Sequence, residues 1–340
     1  MIRFALIGYG AWGRHHAEAI VQAPRARLVA IACRTETTAV AAQRDFPDVP
    51  VHLDYRDLLV RPDIDAVDIV LPNHLHAEVG VAALEHGKDV LLEKPMACTP
   101  EECDALIAAA RHTGRVLSIG HELRLSAQWG RIKAFIDAGE IGEPLYALFE
   151  LFRSPYRRGA NGWRYERERV GSWILEEPVH AFDLALWYFE RWGDPVSVLA
   201  LGNSKGRGEG MSDNFTALVR FPAGRYAVIT QTLAGFQYHQ VVEVAGAEGA
   251  IRSWWSGALD RTLEPTFELK AHRRGRPEPE MVPIERSGEV FELREQIART
   301  VTAFEEGRPL VTGEDARKRV IMCVESERSL REGREIALEF

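Results

Sequence analysis

The chain has 340 residues, more than one hydrophobic core ordinarily organises, so two domains are expected. Its hydrophobic content of 46% and charged content of 27% are those of a globular protein, and no apolar run approaches the roughly 20 residues that span a bilayer. A formal net charge of −8 with a pI near 5.8 speaks against a general nucleic-acid or membrane-surface binder.

The chain begins with an apolar run, 2–7, with no signal-peptide layout before it. Gly8-Tyr9-Gly10-Ala11-Trp12-Gly13 follows at once, then a helical pattern through Ala17, Ile20 and Val21, then a second apolar run, 28–32. Strand, glycine turn, helix and strand within about 30 residues is the setting in which G-x-G-x-x-G marks a dinucleotide site. Gly8 permits the tight turn, Gly10 lets backbone approach a pyrophosphate, and Gly13 lets helix pack on strand. Ala11 and Trp12 open the helix whose free N–H groups and positive dipole end face the phosphates. His15 and His16 are expected in that helix, touching solvent or phosphate.

Where an acid would hold the ribose 2′-hydroxyl, the chain has Cys33, then Arg34 and Thr35, and no carboxylate until Glu36. An arginine with a neighbouring hydroxyl suits a 2′-phosphate, so NADP is favoured and NAD is left open. Helix 37–46, a helical turn at 55–60 and strand 66–71 continue the alternation, broken by Pro72-Asn73-His74-Leu75-His76. A helix then runs to about His86, and the apolar strand 90–92 ends abruptly in Glu93-Lys94-Pro95. Thr99-Pro100-Glu101-Glu102 is a capping box with proline at N1, opening a helix that stops near Gly114 before strand 116–119. Strands alternating with helices predict a parallel sheet covered on both faces. Pro72, Asn73, His76, Glu93 and Lys94 then belong on the same sheet edge as the glycine turn, as cofactor-side groups. Cys33, Cys98, Cys103 and Cys323 have neither C-x-x-C pairing nor zinc spacing, and His74 and His76 have no acid or thiol cluster, so reduced thiols, a cytoplasmic location and no metal are expected.

From about Gly120 the pattern changes, which sets the expected domains at 1–121, a Rossmann NAD(P)-binding domain, and 122–340, a substrate-binding and oligomerisation domain. A helix over 127–138 and a strand over 145–152 lead into a basic, aromatic loop containing Arg153, Trp163, Arg164, Tyr165, Arg167 and Arg169. The next helix is expected to begin near Glu177, with Leu175, Val179, Phe182, Leu186 and Phe189 on one face and His180, Asp183 and Trp187 on the other. Strand-like runs then dominate, including 211–221 and 225–232 around Pro222-Ala223-Gly224, a hairpin signal. With helices returning near 290–305 and 315–330, this predicts an α+β domain built on a large, mainly antiparallel open sheet. One uncovered face of such a sheet implies a homo-oligomer, dimer or tetramer.

Four marks in order, Gly8-x-Gly10-x-x-Gly13, Pro72-Asn73-x-x-His76, Glu93-Lys94-Pro95 and His180-x-x-Asp183, give the chain a resemblance over nearly its full length to the Gfo/Idh/MocA family of NAD(P)-dependent oxidoreductases. The resemblance implies hydride transfer between a secondary alcohol of a sugar, sugar acid or cyclitol and the nicotinamide. It also implies that Lys94 and His180 form the active site, often with an aspartate four residues before the histidine. Here that position is Glu176, a departure, and Glu177 beside it competes for the role. His180, with an ordinary pKa near 6.5, is the natural base, and Lys94 would stabilise charge developing on the same oxygen. Arg124, Trp163, Arg164, Tyr165 and Glu177 are the further substrate-side candidates; the loop arginines leave acidic and neutral sugars both open. Rival readings are a glycosidase that uses NAD transiently and a cofactor-binding regulatory protein, which would be expected to have lost the lysine or histidine.

Overall fold

In the computed structural model, which describes residues 1–208 and 210–340, the first third alternates strand and helix as its punctuation predicts. β1 (Ile2–Ile7), α1 (Ala11–Gln22), β2 (Ala26–Ala32), α2 (Glu36–Asp45), β3 (Val51–His52), α3 (Arg56–Leu59), β4 (Ala66–Ile69), α4 (His76–Glu85), β5 (Asp89–Glu93), α5 (Pro100–Thr113) and β6 (Leu117–Gly120) follow in order. The six strands are parallel and lie in the order β3-β2-β1-β4-β5-β6. In such a doubly wound sheet the chain reverses direction of growth beside β1, and ligands bind at the carboxyl ends of the strands there. Burial on both faces explains why the strands read as apolar runs. β4 is buried at every position, Asp68 included. The capping box forms as read: Thr99 Oγ1 accepts from the Glu102 N–H at 3.2 Å, and the Glu102 carboxylate accepts from the Thr99 N–H at 3.2 Å.

The rest of the chain supplies α6 (Trp129–Asp137), β7 (Pro144–Arg153), α7 (Arg167–Val170), α8 (Trp173–Glu176), α9 (Val179–Phe189), β8 (Ser197–Asn203), β9 (Asn214–Arg220), β10 (Tyr226–Thr232), β11 (Tyr238–Gly246), β12 (Ala250–Gly257), β13 (Thr266–His272), β14 (Glu280–Met281), α10 (Glu289–Glu305), α11 (Gly313–Glu332) and β15 (Ile336–Ala337). Nine of these are strands of one sheet, in the order β14-β13-β12-β11-β7-β10-β9-β8-β15. Every pairing is antiparallel except β7 with β10. β9 and β10 form the expected hairpin, turned at Ala223 and Gly224, both with positive φ. Period-2 burial sets the inner face: Ala147, Phe149 and Leu151 of β7 lie beside Ala227 and Ile229 of β10 and Val242 and Val244 of β11. The helix expected to start near Glu177 instead comes in two pieces. Pro178 donates no N–H and would clash with the carbonyl four residues back, so α8 ends at Glu176 and Pro178 caps α9. Leu175 therefore belongs to α8, and α9 is buried on nearly all sides, His180 and Asp183 included.

The chain divides into one unit of Met1–His121 with Leu293–Arg317 and a second of Glu122–Glu292 with Lys318–Phe340. A single break at 121/122 thus does not describe the whole chain. Leu293, Ile297, Val301 and Phe304 of α10 join the core formed by Phe4, Leu6, Ile20 and Ile31, with the Phe304 ring stacked on Phe4 at 6.1 Å. Apolar burial of that stripe draws the segment back; losing a buried phenylalanine costs about 3–5 kcal/mol. Among the described residues, no helix is long and apolar enough to cross a membrane.

Candidate active site

The glycine turn in the first unit has the shape its sequence requires. Gly8 has φ +110, and a Cβ on it would lie 2.1 Å from the Val70 carbonyl oxygen. A Cβ on Gly13 would lie 1.9 Å from the Gly8 oxygen, whereas at Gly10 nothing comes within 4 Å. The first two glycine positions therefore differ in kind: one is packed against protein, the other is open to a ligand. Ala11 and Trp12 start α1 with no side-chain cap and no acidic residue in the first turn, so its N–H groups and dipole are available to a phosphate. These residues fit a dinucleotide pyrophosphate. Arg34 is exposed just beyond β2, and Thr35 caps α2, its Oγ1 accepting from the Thr38 N–H at 3.3 Å.

Parallel pairing of β1, β4 and β5 brings Pro72, Asn73 and Glu93-Lys94-Pro95 to the same sheet edge as that turn. His76 ties two of these loops together: its ring nitrogens lie 2.7 Å from the Pro95 oxygen and 2.9 Å from the Leu71 oxygen. Lys94 and Pro95 are joined by a cis peptide. Glu93 turns inward. Its Oε1 lies 3.1 Å from His16 Nε2, while His16 Nδ1 lies 2.7 Å from Asp68 Oδ2, and His16 and Asp68 are wholly buried. The expectation for His16 is thereby corrected: it touches neither solvent nor phosphate, because its place on α1 faces the sheet, where Asp68 needs a partner. The two carboxylates overcome the desolvation of the imidazole and raise its pKa to about 10, and the reciprocal pull of His16, aided by Lys94 and Trp12, holds Glu93 down at about 2 despite burial.

In the second unit His180 sits in the first turn of α9, where its Nε2 lies 3.6 Å from Oε1 of Glu122; their side chains are 5% and 2% exposed. Glu176, at the end of α8, accepts from Arg164 Nε at 2.5 Å. Glu177 accepts from the Tyr238 hydroxyl at 2.6 Å and lies 3.5 Å from Arg153. Arg153 is itself stacked on Tyr156 and Tyr238 at 4.5 and 5.1 Å. Burial and the charges of Glu177 and Asp260 push Glu289 well above the usual carboxylate range. A mainly apolar cavity opens beneath this turn, between Glu177, Pro178 and His180 and the sheet residues Phe149, Leu151 and Val242. A buried histidine backed by a carboxylate, beside a cavity, is suited to accepting a proton from a bound hydroxyl.

The other substrate-side candidates are held by protein partners. Arg124 grips Asp183 with Nε at 2.9 Å and Nη2 at 2.6 Å, and Arg319 Nε donates to the same carboxylate at 2.8 Å. Trp163 packs in a small core with Tyr156, Val170, Trp173, Met211 and Leu233, and Arg164 lies over its ring at 4.6 Å. Tyr165 donates to the Tyr156 oxygen at 2.8 Å and meets Trp173 edge-on. The loop that reads as basic is therefore an aromatic knot with paired arginines.

Two residues have roles that sequence reasoning misses. Asp68 left a signal, a carboxylate inside a strand otherwise apolar, which demands a buried partner. Glu122 left less: it follows Gly120-His121 directly after the last parallel strand, and only the fold places it against α9.

Residues 2–121 match the oxidoreductase family GFO/IDH/MocA, NAD-binding Rossmann fold, and residues 129–252 match the GFO/IDH/MocA C-terminal domain. The 1,5-anhydro-D-fructose reductase of Ensifer adhaerens is 32% identical over 255 residues, 74% of this chain and 75% of its own. The scyllo-inositol 2-dehydrogenase (NAD(+)) of Bacillus subtilis (strain 168) is 28% identical over 254 residues, 74% and 73% of the two chains. Among solved structures, an aldose-aldose oxidoreductase from Caulobacter crescentus complexed with glycerol has a TM-score of 0.85 at 23% identity, with 99% of each chain covered, and so shares the fold. The chain belongs to the GFO/IDH/MocA family of oxidoreductases, with an NAD-binding Rossmann fold followed by that family's C-terminal domain.

Proposed function

We propose that the protein transfers hydride between a secondary alcohol of a neutral sugar or cyclitol and a nicotinamide cofactor, NADP in preference to NAD. The observation that carries this reading is the pairing of buried His180 with the Glu122 carboxylate. When bound, the nicotinamide supplies the acceptor or donor of hydride. His180 takes the hydroxyl proton of the substrate, Glu122 holds the imidazole in register and offsets its positive charge, and Lys94 hydrogen-bonds the reacting oxygen as its negative charge develops. The glycine turn and α1 hold the pyrophosphate, with Pro72 and Asn73 beside it. Arg34 takes the 2′-phosphate. Glu176 acts through Arg164, and Glu177 through Arg153 and Tyr238, to shape the substrate side.

The loop arginines favour a neutral substrate over an acidic one. Arg153 lies near Glu177 and Asp260, Arg164 on Glu176, and Arg169 on Glu166, so their charge is answered within the protein. The names of the relatives, an anhydrofructose reductase and an inositol dehydrogenase, support the same class. Absorbance of the reduced nicotinamide during a screen of polyols with both cofactors tests the proposal. Lys94→Ala and His180→Ala should each lower kcat by about 10²–10⁴-fold while cofactor still binds. Undiminished turnover in either variant removes that residue from the chemistry.

We also propose a cytoplasmic homo-oligomer. None of the four cysteines is in a disulfide, and on the outer face of the nine-stranded sheet Tyr226 is 39% exposed beside Tyr146. Light scattering on the purified chain gives the mass directly, and a monomer at micromolar concentration refutes assembly.

A further inference from the structure

The His16 cluster takes no part in the chemistry set out above, yet its ionisable side chains are all buried. An imidazole with both nitrogens against carboxylate oxygens, at 2.7 and 3.1 Å, has an unusual constraint. A neutral ring carries one N–H, so its other nitrogen would turn a lone pair toward an anionic oxygen in a buried site. A doubly protonated ring removes that conflict: Nδ1–H donates to Asp68 Oδ2, and Nε2–H faces Glu93 Oε1 as an ion pair. The groups facing the ring come from three elements: Asp68 from β4, Glu93 from β5 with Lys94 next in the chain, and the Trp12 ring on α1, 5.4 Å away.

We infer that Asp68, His16 and Glu93 form a buried ion triad whose role is to position Lys94, by fixing a carboxylate charge at the end of β5 beside the lysine. His16 and Glu93 are positioning residues in this scheme. The triad anchors the turn from its inner side: α1 supplies the cation, β4 the outer carboxylate, and β5 the carboxylate that adjoins the lysine. Burial pushes Asp68 above the usual carboxylate range against the pull of His16, while Glu93, held ionised, sets its negative charge next to the Lys94 ammonium. Attraction between Lys94 and Glu93 acts on both partners, so a lysine that helps keep Glu93 ionised is itself kept charged by Glu93. The inference rests on the proposed role of Lys94 at the reacting oxygen, since a charged ammonium is what that role needs.

The test reads Lys94 without relying on turnover. Competitive acetylation with acetic anhydride between pH 7 and 11, followed by mass spectrometry of the Lys94 peptide, gives the titration of that one amine. In Glu93→Gln the Lys94 pKa should fall by about 1, which makes the amine about tenfold more reactive at pH 8. An unchanged Lys94 titration in folded Glu93→Gln overturns the inference. Should that variant not fold, the nitrogen-15 shifts of His16 in the unaltered protein decide. Both ring nitrogens should keep imidazolium shifts from pH 6 to 9, and a neutral ring at pH 8 overturns the inference. If instead Lys94 proves dispensable for turnover while its titration shifts as stated, the catalytic reading fails and the triad stands.

Discussion

His180 Nε2 stands 3.6 Å from Glu122 Oε1, and the carboxylate comes from the turn that follows the last parallel strand rather than from the helix that carries the histidine. A base and its orienting acid are thus drawn from segments 58 residues apart, 180 minus 122. Glu122→Gln should keep the shape and remove the charge. We expect kcat to fall about 10–100-fold with KM little changed, and the acidic limb of the pH–rate profile to move to lower pH as the imidazole loses its anionic neighbour. Steady-state kinetics from pH 5 to 9 check both, and an unmoved limb leaves Glu122 a structural role.

Arg34, exposed beyond β2, carries the expected cofactor preference. Arg34→Ala should raise KM for NADP by about tenfold or more and leave KM for NAD within about twofold, as loss of one charge-assisted phosphate contact requires. Equal effects on both cofactors would assign Arg34 to the adenine instead.

Asp183 holds Arg124 and Arg319 together inside the second unit. Asp183→Asn takes away the buried carboxylate charge that both guanidinium groups share, a change that costs about 3–5 kcal/mol. Urea denaturation followed by fluorescence of the second unit's tryptophans should show that loss. A shift under about 1 kcal/mol would mean that the arginines find other partners.

Glu292 gives a pH signature of stability. Burial, partly offset by hydrogen bonds from Ser126, the Gly288 N–H and Ser287, raises its pKa to about 7. Between pH 4.5 and 7 the folded chain holds a proton that the unfolded chain has released, so this group lowers stability as pH rises through that window. Glu292→Gln should therefore match the unaltered protein near pH 4.5 and exceed it by about 3 kcal/mol at pH 8, since each tenfold change in proton affinity is worth about 1.4 kcal/mol. Denaturation curves at the two pH values check the sign. A variant less stable at pH 8 contradicts it.

Much of this architecture is legible in the chain because the chemistry that specifies it is local. Gly8 and Gly13 sit where backbone oxygens leave no room for a Cβ, and Thr99 with Glu102 closes a capping box inside four residues. Lys94 is legible for the same reason, as a polar break at the end of an apolar strand. What escapes is long-range. The His16 ring takes its meaning from Asp68 and Glu93, which are 52 and 77 residues away in sequence, and α10 is drawn to the first unit by contacts with Phe4 and Ile31. Arg124 and Arg164 read as substrate-facing because a sequence shows charge and not which carboxylate answers it; the fold supplies Asp183 and Glu176. Pro178 marks a helix start from its chemistry alone, and the same missing N–H and ring clash end α8 at Glu176.

The return of Leu293–Arg317 to the first unit bears on how the protein is made. Domains ordinarily fold in turn as they leave the ribosome. Here residues 1–121 emerge with an apolar flank that Leu293, Ile297, Val301 and Phe304 will cover only after another 170 or so residues have been translated. The second unit in turn waits for Lys318–Phe340, with β15 at the edge of its sheet. Residues 1–121 made alone would therefore lack the α10 stripe that completes their apolar core.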